Sequence, residues 1–421
     1  MFLCFGLHAI FHLGNVSLQG SISAIIPTFN RSRYLGEAIA ALANQTRALD
    51  QIIIWDDGST DGTAEAVQQA LSADLNGVLQ YFKAENQGKS AALNAAMKHA
   101  QGEYIWICDD DDVACPDAAE KLAHILDTDD AGIAAGAHVR FHAGTGGGEK
   151  TFTGTGYWPD LSAGSVIRHL LEDIFFFQNA SLVRRSCYDA AGPFREDLSR
   201  SIDYEMFVRL GTRFPIKVIN DILFLQRKHN GVRGPSAQRH TADQSDAVWL
   251  ESDRKIFSDL RDRLPVSFYA ALFKSSAKDL ALRAGYLQRG CVYARRCDWG
   301  FAIEDFKAAA EISPSEGLSE TEVGIVIRSM AGKHGSAMAY CPPVQNQLLA
   351  LARESPAGRA IVKALGRGSV WRARDALNRR NYMQFLRIAG FCARAGFRPR
   401  PALQNAALSE TNYLETEAYN W

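Results

Sequence analysis

Four consecutive aspartates, Asp109, Asp110, Asp111 and Asp112, directly follow the apolar run Tyr104–Cys108 (YIWIC). Carboxylates packed so closely repel one another. A hard divalent cation removes that cost, and Mg²⁺ or Mn²⁺ takes one or two carboxylates and completes its shell with water and phosphate oxygens. A nucleotide diphosphate supplies such oxygens, and the cation then neutralises charge building on a leaving diphosphate. The plainer alternative is a solvated turn capping a helix that starts near Pro116, which needs one aspartate rather than four. A second acidic pair, Asp56-Asp57, follows Gln51–Trp55 (QIIIW) and opens DDGSTDG. Ser59 and Asp61 suit the cap of the next helix, whereas Asp56 and Asp57 suit accepting hydrogen bonds from a base or ribose. A third polar cluster, Thr28-Phe29-Asn30, follows Ser23–Pro27 (SAIIP).

These clusters need elements that bring them together. The runs Ser23–Pro27, Gln51–Trp55, Val78–Phe82 and Tyr104–Cys108 have strand length and the continuous apolar character of strands buried on both faces. Helical patterns at Tyr34–Ala43, Thr63–Leu71 and Ser90–Ala100 separate them. Strand alternating with helix predicts an α/β unit with a mainly parallel sheet, whose strand C-ends face one crevice. The three polar clusters then meet there. From Gly144 a Gly-rich stretch reads as a mobile loop, and Phe175 to about Arg227 reads as ordered again, with a last strand at Lys217–Leu225. From about His240 the pattern is nearly all helical. Within it Gln288–Pro314 has Gly290, Tyr293, Ala302, Phe306, Ala309 and Pro314 where one tetratricopeptide repeat wants them, and an ordinary helical hairpin explains them equally. The expected organisation is an extension over 1–20, an α/β unit over 21–240 and a helical region over 241–421, with the hairpin near 282–314.

Lys plus Arg is 46 and Asp plus Glu 47, which argues against a protein that coats nucleic acid. Eight cysteines without a CxxC spacing argue against a zinc cluster or disulfide framework and suit a reducing cytoplasm. Met1 to Gly20 lacks the basic start of a signal peptide and the apolar length of a membrane helix, and reads as a frayed extension or a weak surface anchor. Between Arg353 and Arg400 twelve Lys or Arg face two acids, Glu354 and Asp375. That face is either solvated or a peripheral contact with the inner face of a membrane. No GxGxxG follows the first strand, and GxxxxGK[ST], GxSxG and HExxH are absent, so Rossmann, P-loop, α/β-hydrolase and zincin chemistries are not indicated.

In order along the chain, IIPTFNR (Ile25–Arg31), WDDGSTDGT (Trp55–Thr63), NQGKSAALNAA (Asn86–Ala96) and GEYIWICDDDDVACPD (Gly102–Asp117) resemble the donor-binding half of glycosyltransferase family 2. A weaker match continues through Ser181–Leu210. The resemblance implies the A-type glycosyltransferase fold, an inverting transfer from a nucleotide-diphosphate sugar (UDP-sugars being commonest) and Mn²⁺ or Mg²⁺. It places Pro27, Thr28, Phe29 and Asn30 at the nucleotide and Asp56 and Asp57 at base and ribose. It also places Lys89 near the diphosphate and Asp109, Asp110 and Asp111 at the metal and donor, with Asp111 and Asp109 as metal ligands. Asp203 in IDYEMFVRL matches the family's catalytic base. On the residue alone it equally suits a helix N-cap, with Met206, Phe207 and Leu210 as the apolar face. His229 in LQRKHNG sits where the family often places a basic group near the diphosphate. The processive synthases' QxxRW motif and membrane helices are absent, so the resemblance implies a single-transfer enzyme with a glycan or lipid-linked acceptor, in cell-envelope polysaccharide or glycolipid synthesis. The helical region has no counterpart in it and is expected to shape the acceptor site, self-associate or dock a protein partner.

Overall fold

The computed structural model describes residues 19–71, 77–143, 149–228, 245–275, 277–396 and 408–421. The first half runs β1 (Ile22–Thr28), α1 (Ser32–Ala43), β2 (Gln51–Asp56), α2 (Thr63–Leu71), β3 (Leu79–Lys83), α3 (Lys89–Met97), β4 (Tyr104–Ile107), β5 (Val113–Ala114), α4 (Ala118–Thr128), β6 (Ile133–Ala143) and β7 (Lys150–Thr155). It continues with α5 (Val166–Glu172), β8 (Ser181–Arg184), α6 (Arg185–Ala191), α7 (Ile202–Gly211) and β9 (Ile216–Arg227). The second half holds α8 (Ser245–Arg263), α9 (Val266–Ala270), β10 (Phe273–Ser275), α10 (Lys278–Ala294), α11 (Trp299–Ile312), α12 (Glu320–Arg328) and α13 (Pro342–Glu354). It ends with α14 (Pro356–Gly368), α15 (Val370–Asn378), α16 (Tyr382–Arg394) and β11 (Leu408–Glu410).

The large sheet has the order β3-β2-β1-β4-β8-β6-β9-β5, with β7 on β6. β3, β2, β1 and β4 are parallel neighbours. β8 lies antiparallel to β4 and β6, and β9 runs parallel to β6. This is the mainly parallel α/β sheet with a following helical region that the sequence predicts. All seven residues of β1 are buried, as a strand covered on both faces requires. Alternation divides them: Ile22, Ala24 and Ile26 join Leu35 and Ile39 of α1 and Leu122 of α4, while Ile25, Ile53 and Ile105 join Leu93 of α3 and Phe207 of α7.

That second cluster runs on without a break into the helical region, through Tyr293 and Phe306 to Ile361 and Phe391. A buried polar knot reinforces the seam. The Glu172 carboxylate accepts from Arg328 Nε and Gln288 Nε2, both at 2.9 Å, and its carbonyl accepts from Arg295 Nε at 2.9 Å. Burial alone raises the Glu172 carboxyl, but Arg328, Arg168 and Arg295 outweigh it and hold it well below the ordinary carboxylate range.

The stretch likened to a tetratricopeptide hairpin folds as α10 and α11, where Gly290 leaves room for the Phe306 ring, 2.7 Å from where a β-carbon would stand. β7 is not foreseen by the sequence reading, which has a loop there. Its side chains are mostly exposed and, among the described residues, it pairs with β6 alone, so an apolar pattern is lacking. Residues 1–18, 144–148 and 229–244, hence most of the expected extension, the start of the expected Gly-rich loop and His229, lie outside the described residues. No helix among the described residues is long and apolar enough to cross a membrane.

Candidate active site

The strand ends open into one cleft. It is lined by Pro27, Thr28, Phe29 and Asn30 after β1, Asp57 after β2, Gly88 and Lys89 at α3, the four aspartates after β4, Asp203 of α7 and Arg227 of β9. The helical region closes it with Trp249 and Lys255 of α8 and with Lys333. The topology thus brings together every expected site residue within the described segments except Asp56.

Asp56 is fully buried and takes a different part. Its carboxylate accepts from the Ser59 N–H at 2.7 Å and from the Tyr81 hydroxyl at 2.6 Å. It holds the turn and is absent from the lining that the other expected residues share. Gly58 turns that loop with φ +84°, and a β-carbon there would stand 3.0 Å from the Asn86 nitrogen. Asp57, which does line the cleft, accepts from the Gln87 and Gly88 N–H groups at 2.9 and 2.8 Å and so sets the chain leading into Lys89. Burial pushes its carboxyl up against the lowering effect of those bonds. Asn30, at φ +54°, ties the first loop to the second: its N–H donates to Ser59 Oγ and its Oδ1 accepts from the Thr60 N–H, each at 2.8 Å.

The four aspartates separate by role. Asp112 is buried and accepts from Asn179 Nδ2 and from the Arg227 N–H, both at 2.7 Å. Arg227 Nε donates to the Asp111 carbonyl at 2.8 Å, and Asn179 Oδ1 accepts from the Asp109 N–H at 2.8 Å. Asp109 receives the Lys89 ammonium at 2.6 Å. The reasoning that only a cation holds four neighbouring carboxylates together is therefore corrected: Asn179, Arg227 and Lys89 hold much of the cluster. Asp109, expected as a metal ligand, is engaged by Lys89. Asp110 remains buried at the cleft, where desolvation and the Asp111 charge push its carboxyl up to about 7.

Among the described residues no three Asp, Glu, His or Cys side chains converge into a ready-made cage for a metal. Asp110 and Asp111 stand side by side in the lining of the cleft. A pair of carboxylates completed by phosphate and water oxygens is what Mg²⁺ and Mn²⁺ use, so the residues fit a cation that arrives with a diphosphate.

Asp203 stands in the first turn of α7, near enough to Lys89, Asp109 and Lys333 for their charges to act on it. Burial raises its carboxyl above the ordinary carboxylate value, against the pull of Lys89, the Tyr204 N–H and Lys333. Its own Oδ1 accepts from the Tyr204 N–H at 2.9 Å, and no side-chain cap hydrogen bond closes the helix start. The preceding Ser201 is held at φ +57°, and its hydroxyl donates to Asp253 Oδ1 at 2.7 Å. Fully buried Asp253 also meets Lys333 Nζ and His334 Nε2, each at 2.8 Å from Oδ2. Tyr204 is anchored from the other side, its hydroxyl donating to the Leu170 carbonyl at 2.8 Å and accepting from Arg296.

Asn179, Arg227, Trp249, Asp253 and Lys333 are missed by the sequence reading. Arg227 lies two residues from His229, in a segment already singled out, so strand-end position could have found it. Asp253 and Lys333 meet across about eighty positions of helical sequence and carry no local motif.

Comparison with known proteins agrees with the motifs. The family model Glycosyl transferase family 2 matches residues 23–189. An uncharacterized glycosyltransferase of Haemophilus influenzae is 38% identical over 105 residues, covering 25% of this chain and 42% of that protein. A chondroitin synthase of Escherichia coli is 26% identical over 249 residues, 59% of this chain and 34% of that protein. A hyaluronan synthase of Pasteurella multocida is 27% identical over 220 residues, 52% of this chain and 21% of that protein. The chain spans less than half the length of each of these relatives. Residues 23–189, which supply most of the cleft, are thus similar to glycosyl transferase family 2.

Proposed function

We propose that the protein is an inverting, metal-dependent glycosyltransferase. It moves a sugar from a nucleotide-diphosphate donor, with a uridine diphosphate sugar as first choice, to a hydroxyl of a glycan or lipid-linked acceptor in single transfers. The observation that carries the reading is the meeting of Lys89, Asp109 and Asp203 in one cleft with the loops that follow β1, β2 and β4. The polysaccharide synthases among its relatives support a glycan product of the cell-envelope kind.

In this reading Thr28, Phe29 and Asp57 receive the nucleoside, and the Lys89 ammonium draws the diphosphate towards the end of α3. Asp110 and Asp111 would hold a divalent cation, which would supply charge neutralisation to the leaving diphosphate. Asp203 accepts the proton of the acceptor hydroxyl as its oxygen bonds to the anomeric carbon. The bond from that carbon to the diphosphate oxygen breaks on the opposite face, and the nucleoside diphosphate leaves. Burial of Asp203 strengthens it as a base, while Lys89 and Lys333 keep the ionised form accessible.

The test is a panel of nucleotide sugars with Mn²⁺, Mg²⁺ or chelator, reading released nucleoside diphosphate, with Asp111→Ala alongside. Metal-dependent release from one donor, lost in the variant, is expected. Absence of both release and calorimetric nucleotide binding across the panel would remove the reading and leave a protein-docking role for the helical region.

A further inference from the structure

The hairpin of α15 and α16 presents a cluster of exposed apolar side chains on its outward face. Tyr382, Met383 and Leu386 are 60, 66 and 63% exposed, and Leu377 just before the turn is 46% exposed. α16 already has an inner apolar stripe, with Ile388 and Phe391 fully buried. A surface helix with one buried stripe normally shows polar residues on its other side. Here the first turns are apolar on both sides, and bulky apolar side chains clustered in the open mark a contact surface.

The charge around this patch is one-sided. The whole chain has 46 basic against 47 acidic residues, yet residues 376–394 contain Arg379, Arg380, Arg387 and Arg394 and no acid. Arg379, Arg380 and Arg387 are exposed, and the first two form the turn between the helices. The nearest acid, Asp375, is paired with Arg379 at 3.0 Å. Arg372 is bonded to the Met330 and Gly332 carbonyls, so it belongs to the scaffold.

We propose that this hairpin tip docks on an anionic lipid surface. Tyr382 to Leu386 rise roughly 6 Å along the helix axis, within the roughly 5–10 Å depth to which an interfacial helix buries its apolar face. The arginines of the turn then lie level with lipid phosphates, and Tyr382 brings an amphipathic ring to the same boundary. A second copy of the chain is disfavoured as occupant, because a two-fold contact sets this acid-free patch against itself, arginine facing arginine. The proposal does not depend on the glycosyltransferase reading.

The test is flotation of the full chain with vesicles of phosphatidylcholine alone and of three parts phosphatidylcholine to one part phosphatidylglycerol, at low and high salt. Binding is expected on the anionic vesicles only and weakens in high salt. The pair Arg379→Gln and Arg380→Gln lowers the partition coefficient, by roughly five-fold for each arginine. The triple Tyr382→Ser, Met383→Ser and Leu386→Ser lowers it by at least about ten-fold. All five side chains are exposed, so unchanged thermal unfolding in both variants excludes misfolding as the cause. No binding to anionic vesicles, or binding that both variants retain, overturns the proposal. So does concentration-dependent self-association that the triple variant abolishes while vesicle binding is unaffected.

Discussion

Replacing Asp253 tests whether the helical region positions Asp203, the proposed base. The side chain is 1% exposed and accepts three hydrogen bonds, from Ser201, Lys333 and His334. Removing one partner of a buried charged pair costs about 3–5 kcal/mol. Lys333 is 27% exposed and regains water, so Asp253→Asn belongs at the lower end, about 3 kcal/mol. Burial alone raises the Asp253 carboxyl, but His334, Lys333 and Arg296 outweigh it and hold it well below the ordinary carboxylate value. A depressed carboxyl stabilises the fold fully above the unfolded value and loses that contribution as pH falls through the folded one. The stability gap between wild type and variant is therefore constant near neutrality and narrows below about pH 4. Denaturant unfolding across that range measures it. A companion variant, Ser201→Gly, keeps the φ +57° backbone and removes only the tether to α7. It is expected to lower kcat several-fold with the donor KM unchanged. An unfolding free energy for Asp253→Asn within about 0.5 kcal/mol of wild type, together with unchanged kcat in Ser201→Gly, would refute the reasoning.

Further outcomes follow from the same geometry. Asp203→Asn lowers kcat by roughly 10²–10⁴ with nucleotide affinity by calorimetry unchanged. The acid limb of the wild-type rate profile lies above the ordinary aspartate value, because burial raises Asp203. Gly58→Ala forces a β-carbon onto φ +84° and costs about 1–3 kcal/mol in thermal unfolding, with weaker nucleotide binding. His138 is buried with both ring nitrogens unbonded, and burial, Arg140 and Lys228 hold its pKa down at about 4. A depressed imidazole stabilises the fold above its unfolded value near 6.5, so about 3 kcal/mol is lost as pH falls from about 6.5 to 4. His138→Leu, which replaces the imidazole stacked on Phe224 with an apolar group that does not titrate, should flatten part of that slope.

The α/β unit was legible because buried parallel strands leave continuous apolar runs, and β1, β2 and β4 fall within two residues of the predicted ones. The cleft was legible for the same reason: polar clusters at strand C-ends meet by topology alone. Asp56 shows the limit. Its type and place match Asp57 next to it, and only the side-chain direction, one towards Tyr81 and one towards the Gly88 N–H, separates a turn-holder from a cleft residue. The acidic run shows the same limit, since the sequence contains Asn179 and Arg227 but not their approach to Asp112.

The helical region could not be connected to the cleft from sequence, because its links are buried pairs between distant positions. Their arrangement has a consequence for how the chain works. Asp203 lies between two anchors, Ser201 on Asp253 and Tyr204 on Arg296, and both anchoring residues belong to the helical region. Lys333, from the same region, reaches the cleft and acts on the Asp203 charge. The apolar cluster that passes from Ile25 to Phe391 makes those anchors rigid. A truncation near residue 240 would therefore expose that cluster and release the start of α7 together. Loss of activity in such a truncation would say nothing about where the acceptor binds. Single changes at Ser201 or Asp253 separate the two questions, because they leave the cluster covered.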